Sequence, residues 1–429
     1  MKQVDYLIVG AGISGLATAN ALRQQAKDAQ KPMPSILIID RDEGPGGYCK
    51  TIKQDGFVWD YSGHFFHFKH PEIESWLRQR MPGQNIKTVA KKSSIYYGDR
   101  WIDFPFQKNI HQLPQEEFTQ CLADLYFKGE DYPYDTPANF KEMLFARLGK
   151  GISEKFLIPY NEKLYACDLG ELDVNAMGRF FPHADTDDII RNMRQANNQS
   201  YNSTFTYPEG GAIEYVNALL HDLPEDLLQY NTSLDGLDVA QKTAHTSQGP
   251  VQYTHLVSSV PLVHLLRMSG LPFDETVFSW NKVLVFNLGF DAKGPDNVNW
   301  LYFPQRDLRF YRVGFYDNIF GTDRMSLYVE IGAKDDEALD VEAEKERVLA
   351  DLSKAGIVKE QQLISWHSVI MNPAYVHINQ AALTQWQNLK PQLEAQGIHS
   401  IGRYGDWTYC AIEDNIVQAR ELASQLGQA

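Results

Sequence analysis

The stretch Tyr6–Gly15, which reads YLIVGAGISG, decides the fold. An apolar strand runs straight into a Gly-x-Gly-x-x-Gly loop, and a helix-forming sequence follows. Gly10 allows a tight turn, Gly12 lets a pyrophosphate approach the backbone, and Gly15 lets the helix pack closely on the strand. This order of strand, loop and helix predicts a dinucleotide-binding unit with the phosphates at the helix N-terminus.

The next segment indicates which dinucleotide is bound. A second apolar strand, Ile36–Ile39, ends in Asp40, which can accept hydrogen bonds from ribose hydroxyls. A second glycine pair, Gly46–Gly47, and a short hairpin, Gly56–Asp60, lead to His64. These features resemble the flavoprotein superfamily of amine oxidases, protoporphyrinogen oxidases and sugar-nucleotide mutases, whereas simple nicotinamide dehydrogenases lack the extension. The alternative is a nucleotide-binding turn followed by unrelated glycines.

The composition limits the class of protein and of ligand. The chain has 429 residues, 43% of them hydrophobic and 22% charged, which is ordinary for a soluble protein of two or three domains. The formal net charge of -15 argues against a nucleic-acid partner, which would call for a basic stripe. An anionic small molecule remains compatible, because a few arginines in a cleft can bind a diphosphate locally.

The sequence predicts a cytoplasmic location. The four cysteines lack the spacing of metal ligands, so reduced thiols are expected at Cys49, Cys121, Cys167 and Cys410. Met1–Asp5 leads directly into the first strand, so we expect no signal peptide. No run approaches the ~18 consecutive apolar residues of a membrane span. We therefore expect a soluble intracellular protein without a membrane span.

The pattern of the chain changes twice after the first domain. Residues 112–200 are rich in Gln, Glu, Lys, Leu and Ala at helical spacing, which predicts a helical insertion. From about residue 251 onward, strand-forming runs such as Val283–Phe290 predict an antiparallel sheet. A short strand, Ile398–Gly402, and a helix within 406–429 return to the nucleotide-binding pattern. The first domain must therefore be discontinuous.

Together these features predict an α/β fold: a Rossmann-like FAD-binding domain, an inserted helical domain and an antiparallel β-sheet substrate domain. A flavin would lie between the domains. The expected ranges are 1–70, 201–262 and 396–429 for the FAD-binding domain, 112–200 for the helical domain, and 71–111 and 263–395 for the β-sheet domain.

A narrower resemblance rests on a series of short motifs. They are Phe104–Ile110, Pro159–Asn161, Gly178–Pro182, Asn202–Pro208, Phe310–Arg312 and Gly402–Gly405. In this order they resemble the UDP-galactopyranose mutases, the eukaryotic-type branch especially, and they cover most of the chain. Each string is short, but the set as a whole is fairly specific.

The resemblance implies a diphosphate site. Arg179 and Arg312 would bind the diphosphate of a sugar nucleotide, a task suited to the planar, always-charged guanidinium. Tyr375 and Tyr409 would donate phenolic hydrogen bonds to the same diphosphate. The alternative is that each arginine forms an ordinary ion pair and each tyrosine lies in the core.

The resemblance also implies a site for the nucleobase and ribose. The matching residues are Phe106, Gln107, Asn161 and Tyr165. The family often has Tyr where this chain has Phe104, and Trp where it has Tyr165. The identity of the nucleobase therefore stays open, and UDP is the choice that the resemblance favours.

The segment around His64 matches the histidine-containing loop that passes over the flavin in these mutases. Ser62 stands near a turn where the family commonly has Gly or Pro. The rival interpretation takes His64, His67 and His70 as a metal triad, but large aromatic residues between them make convergence on a metal difficult. We therefore expect no metal at this loop.

Further cofactor contacts follow from the same resemblance. Arg403 would approach the isoalloxazine ring, and a helix starting near Ile412 to Asn415 would point its positive end at the flavin. Plain N-terminal helix charges are the simpler interpretation of the side chains of Glu413 and Asp414. The expected cofactor-binding residues are Gly10, Gly12, Ile13, Ser14, Gly15, Asp40, Arg41, Gly46, Gly47, Gly63, His64, Arg403 and Asp414.

The predicted activity is that of a mutase that interconverts pyranose and furanose forms of a UDP-galactopyranose-like sugar nucleotide. The resemblance implies a covalent intermediate between flavin N5 and the sugar, reduced FAD as the active form, and catalytic roles for Arg179, Arg312 and His64. No second Gly-x-Gly-x-x-Gly unit appears, so NADPH or NADH, if used as the reductant, would bind only transiently near the flavin. The alternatives are an amine oxidase-type or protoporphyrinogen oxidase-type oxidoreductase and a flavoprotein that binds a sugar nucleotide without turnover. The sugar and the oligomeric state, with a homo-oligomer possible, stay open.

Overall fold

The structure is a computed structural model that describes residues 1–198 and 203–428. Its strands are β1 (Lys2–Val9), β2 (Ile36–Ile39), β3 (Thr51–Gln54), β4 (Phe57–Asp60), β5 (Ile86–Ala90), β6 (Ser93–Tyr97), β7 (Arg100–Asp103), β8 (Thr204–Pro208), β9 (Leu228–Gln229), β10 (Leu234–Asp238), β11 (Thr243–Thr246), β12 (Gly249–Ser258), β13 (Trp280–Phe290), β14 (Trp300–Tyr302), β15 (Arg312–Phe315), β16 (Ser326–Lys334), β17 (Leu363–Val376) and β18 (Ile398–Ser400). Its α-helices are α1 (Ile13–Asp28), α2 (Pro71–Gln79), α3 (Gln115–Asp131), α4 (Phe140–Ile152), α5 (Ile158–Tyr165), α6 (Thr186–Arg194), α7 (Ile213–Leu220), α8 (Leu262–Ser269), α9 (Asp317–Phe320), α10 (Val341–Lys354), α11 (Gln380–Ala395), α12 (Gly402–Gly405) and α13 (Ile412–Gln428). A π-helical segment, Ser153–Leu157, joins α4 to α5. Asn202 and the predicted domain boundary between residues 200 and 201 lie outside the described residues.

The first sheet contains the strand that opens the chain. Five strands in the order β9-β2-β1-β12-β18 run parallel, and β10 and β11 extend the sheet beside β12 as an antiparallel pair. In β1, Leu7 and Val9 face one core cluster, and Ile8 faces another together with Leu16 of α1. This alternation buries both faces of the strand, as expected for a parallel sheet covered on both sides.

The second sheet has the order β17-β13-β16-β15-β14-β6-β7. One face packs on α10, where Leu327 and Val329 of β16 meet Val348. The opposite face carries Tyr328 and Glu330, the alternate residues of the same strand. This face therefore meets the loop after β4, where Gly63 contacts Tyr328 and Ser62 contacts Glu330, while the other face forms a core. With both sheets present, the predicted fold class is confirmed.

Several details differ from the sequence-based expectation. The second sheet is not purely antiparallel, because β14 and β6 pair in parallel. Helix α2, expected with the second sheet, packs on α7, and its Ile73 and Leu77 share a core cluster with α1 and α13. Helix α11, also expected there, contacts β18 of the first sheet. Local periodicity shows which face of α2 and α11 is apolar but not which element covers it.

Gly15 is the point at which α1 comes closest to the loop after β1. A Cβ atom at this position would overlap the carbonyl oxygen of Gly10 and lie 3.1 Å from Ile8 Cγ2. Gly15→Ala is therefore expected to lower the free energy of unfolding by about 1–3 kcal/mol, as overpacking does, and urea unfolding would measure this. The control is Gly44→Ala, because a Cβ there meets no described atom within 4 Å. Equal stability of Gly15→Ala and the wild-type protein would contradict this role.

Candidate active site between the two large sheets

The loop after β1 presents backbone at the start of α1. Gly10 has a φ of +108°, a conformation that favours glycine. Gly12 is the N-cap of α1, and no described side chain caps it. Gly46 donates its N–H to Ala11 O at 2.9 Å, so the second glycine pair lies against the first loop. The uncapped amides at this helix N-terminus fit a pyrophosphate.

Asp40 braces this loop. Its Oδ2 accepts a hydrogen bond from Ala11 N at 2.7 Å, and its Oδ1 accepts one from Asp42 N at 2.9 Å. A ribose would therefore have to use the remaining lone pairs of the carboxylate. Arg41 projects into solvent, 3.9 Å from the Asp42 carboxylate. Ser14 donates its hydroxyl to Asn415 Oδ1 at 3.1 Å and so joins α1 to α13.

The loop of Ser62 to His64 lies on the inner face of the second sheet. A Cβ at Gly63 would overlap the hydroxyl of Tyr328 in β16, so this contact requires glycine. The backbone N–H of His64 donates to Ser62 O at 2.7 Å. His64 Nδ1 is buried and has no hydrogen-bond partner among the described residues. Burial lowers the pKa of His64 to about 4; Glu330 opposes this shift, while Arg403 and Arg312 add to it.

The three histidines of this segment have separate environments. His67 Nδ1 donates to Thr204 O at 2.8 Å, and His70 Nδ1 lies 3.2 Å from Glu72 Oε1. Within the described ranges, no group of three or more His, Cys, Asp or Glu residues could hold a metal ion. The backbone after His67 is fixed by the buried Glu413, whose carboxylate accepts from the N–H groups of Lys69 and His70.

Arg403 lies between two of the predicted site tyrosines. Its guanidinium carbon is 4.8 Å from the ring centre of Tyr375 and 4.5 Å from that of Tyr409. Aromatic faces stabilise a buried guanidinium electrostatically. Its buried Nε–H has no acceptor among the described residues. A buried donor of this kind fits an acceptor on a bound cofactor or substrate.

Arg179 is paired with Asp414 in the first turn of α13. Its Nη2 donates to the two carboxylate oxygens at 2.6 and 2.7 Å, and Asp414 also accepts from Ala411 N at 2.7 Å. The guanidinium lies 4.5 Å from the ring centre of Phe180, and that ring meets Tyr409 edge-on at 4.9 Å. The side chain of Asp414 is therefore more than a plain helix charge, because it orients a predicted substrate arginine.

Arg312 is paired with Glu330 across neighbouring strands. The register of β14, β15 and β16 places Tyr302, Arg312 and Glu330 in one row. Nη2 of the arginine donates to Glu330 Oε1 at 2.8 Å, and its Nε donates to Oε2. The ion pairs considered as the alternative are thus present for both predicted substrate arginines. An ion pair and a ligand contact are compatible, because a guanidinium carries five N–H donors.

The residues predicted for the nucleobase contain buried amide and phenol groups. Within residues 1–198 and 203–428, Gln107 Oε1, Asn161 Oδ1 and the hydroxyl of Tyr165 have no hydrogen-bond partner. Buried polar atoms are normally hydrogen-bonded, so this group fits a polar ligand. Phe106 differs, because its ring is fully buried and stacks on Phe156 at 5.2 Å. The side chain of Phe106 therefore supports the site from the core.

Three neighbouring residues were not predicted from the sequence. Glu330 could have been noticed as a charge flanked by the apolar residues Val329 and Ile331, whereas Tyr302 shows no signal of this kind. Lys91 carries no such signal. Its Nζ lies 4.5 Å from the ring centre of Phe104, and burial, with a contribution from Arg312, lowers the pKa of Lys91 to about 7.

Comparison with known proteins supports the predicted resemblance. Residues 8–80 match the family described as NAD(P)-binding Rossmann-like domain. A crystal structure of reduced UDP-galactopyranose mutase superposes with a TM-score of 0.90 at 25% identity, covering 99% of this chain and 96% of the other. The chain is similar to this mutase over nearly its whole length, which confirms the predicted resemblance to the UDP-galactopyranose mutases. This family lies within the FAD-binding superfamily of amine oxidase type, as the sequence predicted.

Curated relatives extend the comparison at lower identity. The UDP-galactopyranose mutase of Mycoplasma pneumoniae is 22% identical over 188 residues, which is 42% of this chain and 44% of the other. The coproporphyrinogen III oxidase of Staphylococcus aureus is 21% identical over 337 residues, 68% of each chain. No helix in the described ranges is long and apolar enough to cross a membrane. The eukaryotic-type branch, the cytoplasmic location and the oligomeric state stay predictions.

The lowered pKa of His64 predicts a pH dependence of stability. Its folded-state pKa of about 4 lies below the ordinary 6.5, so the unfolded chain binds more protons between these values. Stability should therefore fall as the pH drops from 6.5 toward 4. His64→Gln should reduce this slope by up to about 1.4 kcal/mol per pH unit. Urea unfolding at several pH values would measure it, with His245→Gln on the exposed side of β11 as the control. A slope unchanged by His64→Gln would contradict the assignment.

Proposed function

We propose that the protein is a flavin-dependent mutase that interconverts the pyranose and furanose forms of a nucleoside-diphosphate sugar. The observation that carries this proposal is the positive charge gathered around His64 and Tyr409. Arg312 and Arg403 influence the pKa of both groups, and Arg179 reaches Tyr409 through the ring of Phe180. Several half-buried guanidinium groups at one place fit a diphosphate.

The arginines would act on the leaving group. Arg179 and Arg312 would bind the diphosphate and stabilise its negative charge as the bond to the anomeric carbon breaks. Asp414 and Glu330 hold the two guanidinium groups before the ligand arrives, so little reorganisation is needed. Tyr375 and Tyr409 would donate phenolic hydrogen bonds to the same group, in keeping with burial raising the pKa of Tyr409 to about 12.

The nucleobase would bind beside α5. The free amide oxygens of Gln107 and Asn161 can accept hydrogen bonds from a base that presents an N–H, as the imide of uracil does. The hydroxyl of Tyr165 can donate or accept, and its ring lies edge-on to Tyr375 at 5.6 Å. Because Tyr375 is a proposed ligand of the diphosphate, this contact would place the base next to the diphosphate. We therefore propose a uridine nucleotide, with Phe106 and Tyr165 shaping the pocket.

FAD is the proposed cofactor. The residues that would hold it are Gly10, Gly12, Ile13, Ser14, Gly15, Asp40, Arg41, Gly46, Gly47, Gly63, His64, Arg403 and Asp414. When bound and reduced, FAD supplies a nucleophile toward the anomeric carbon and leaves the overall reaction redox-neutral. His64 would stay neutral near pH 7, because burial lowers its pKa to about 4. NADPH or NADH would serve as the transient reductant.

An oxidoreductase is the second candidate. The similarity to the Staphylococcus aureus coproporphyrinogen III oxidase, 21% identity over 68% of each chain, favours it. A neutral amine substrate would have no use for Arg179 and Arg312. The redox behaviour of the flavin distinguishes the two candidates, since an oxidase needs the oxidised form and consumes an acceptor.

Arg312→Ala tests the diphosphate site. The variant should lose turnover by about 100-fold or more, as for other groups that stabilise developing charge, while keeping bound flavin. Because it leaves Glu330 unpaired, Arg312→Lys is the companion that keeps a charge but loses the bidentate geometry. Arg267→Ala is the matched control, since Arg267 also binds a carboxylate, Glu275, but at the surface. Product analysis and flavin absorbance are the measurements. Full activity of Arg312→Ala would contradict the proposal that Arg312 binds the diphosphate.

The redox state of the flavin tests the reaction class. Protein reduced with dithionite should convert one member of a panel of UDP-, dTDP-, GDP- and CDP-pyranoses to a new isomer, with UDP favoured. The oxidised protein should convert none, because the proposed nucleophile exists only in the reduced flavin. Separation of the products and an oxygen electrode are the measurements. Sustained turnover by oxidised protein with oxygen uptake would favour the oxidase instead.

A further inference from the structure

Helix α5 carries a lysine between two of the residues proposed for the nucleobase. Asn161 and Tyr165 are four positions apart and therefore share one face of the helix. Lys163 lies midway between them and projects from the opposite side, toward the chain that joins β14 to β15. The lysine thus links the helix of the proposed base site to a second element.

The ammonium of this lysine binds three carbonyl groups of the β14–β15 connection, residues 303–311. Lys163 Nζ donates to Phe303 O at 2.9 Å, to Gln305 O at 2.8 Å and to Phe310 O. A lysine ammonium has three N–H donors, so all three are used. The acceptors lie near both ends and in the interior of the connection. One charge therefore closes the connection and ties it to α5.

The charged form of the lysine holds the connection more strongly than a neutral side chain would. Hydrogen bonds with a charged donor are roughly twice as strong as those between neutral groups. Burial lowers the pKa of Lys163 to about 7; Asp351 and Asp307 oppose this shift, whereas two arginines of the connection add to it. The three carbonyls favour the charged form, because only the ammonium has three donors. The backbone of the connection and the two carboxylates therefore stabilise the charge at this place.

The β14–β15 connection leads directly to the proposed diphosphate residue. Phe310 is two positions before Arg312, and Phe303 follows Tyr302, the residue that lies opposite Arg312 in the register of β14 and β15. Phe303 N also donates to Tyr311 O at 2.9 Å. Fixing both ends of the connection therefore fixes the point at which β15 begins, and with it the backbone from which the Arg312 side chain extends.

The C-terminal end of α5 is held on other strands of the same sheet. Asn281 Nδ2 of β13 donates to Leu164 O at 2.6 Å. A Cβ at Gly332 of β16 would overlap the carbonyl oxygen of Lys163, so the helix and this strand are in close contact. These contacts fix α5 on β13 and β16. The ammonium of Lys163 adds the path from α5 to β15, the strand of Arg312.

We propose that Lys163 is a positioning residue that keeps the base-binding face of α5 in register with Arg312, so that both ends of one nucleoside diphosphate are bound together. The inference rests on the proposed function, because it needs a base beside Asn161 and a diphosphate at Arg312. When two linked groups bind at once, the second contact is favoured by a high effective concentration, and this advantage is lost when the two sites are out of register. The expected defect of a Lys163 variant is therefore in what the uridine adds to binding, not in the diphosphate site by itself.

The test compares UDP with inorganic pyrophosphate as ligands of the FAD-loaded protein, by titration calorimetry. The dissociation constant of pyrophosphate divided by that of UDP measures what the uridine adds. Lys163→Met removes the three donors and should lower this ratio about tenfold or more, within the loss that a misplacement of about 1 Å can cause. Pyrophosphate should bind as in the wild-type protein, because Arg312 keeps its partner Glu330. An unchanged ratio, or an equal loss of affinity for both ligands, would overturn the proposal.

Arg306→Ala is the matched control, because Arg306 also ties the β14–β15 connection to α5. Its partner is Glu162, but this pair lies at the surface, where 66% of the arginine side chain is exposed. Exposed ion pairs contribute little to stability, so this variant should keep the wild-type ratio. A loss as large as that of Lys163→Met would show that any weakened contact at the connection lowers the ratio, and the specific role of Lys163 would be wrong.

Lys163→Gln is a milder variant that keeps the test decisive if Lys163→Met does not fold. It retains two N–H donors without the charge, so it should lower the ratio less than Lys163→Met does. A wild-type ratio in the folded Lys163 variants would sink this inference alone, since UDP would still bind. No binding of pyrophosphate to the wild-type protein would remove the separate diphosphate site that the inference needs. No binding of UDP to the wild-type protein would sink the proposed function as well.

Discussion

The cost of burying guanidinium groups is the constraint on which the site depends. A charge removed from water must find a partner, and each arginine finds a different one. Arg312 pairs with Glu330, Arg179 pairs with Asp414, and Arg403 lies between two aromatic rings. These partners belong to β16, α13 and the segments around Tyr375 and Tyr409. The positive charge is therefore stable only when both sheets and the last helix are assembled together.

The two-residue period of a strand gives the second sheet two distinct surfaces. In β16, Leu327 and Val329 fill the core under α10, while Tyr328 and Glu330 face the loop after β4. The same strand thus anchors its sheet and forms the floor under the His64 loop. Helix α13 has a similar double role, because it packs on α1 and its first turn holds Arg179 through Asp414. Both β16 and α13 pack in the core and also hold residues of the site. The packing of the core therefore fixes the geometry of the site.

Local patterns were sufficient for the strand, glycine loop and helix that open the chain. The glycine loop is predictable because Gly10 and Gly15 meet backbone constraints that the sequence displays directly. The positions of α2 and α11 were not predictable, since an amphipathic helix shows which face it buries but not against which sheet. The parallel pairing of β14 with β6 was missed for a similar reason, because the partner strand lies some two hundred residues earlier in the chain. Lys91 was missed because the pair Lys91 and Lys92 after a short strand has no distinguishing context in the sequence.

The sequence by itself determined the dinucleotide loop, the order of the elements and the resemblance to the mutases, because each depends on residues close together in the chain or on motifs in a fixed order. It also named Arg179, Arg312 and Arg403, but not what holds them. Only the tertiary structure decided that Glu330 pairs with Arg312 and shares an oxygen with Ser62. The reason is physical: these contacts join β15, β16 and the loop after β4, and no local preference of the backbone encodes a hydrogen bond between residues 268 positions apart.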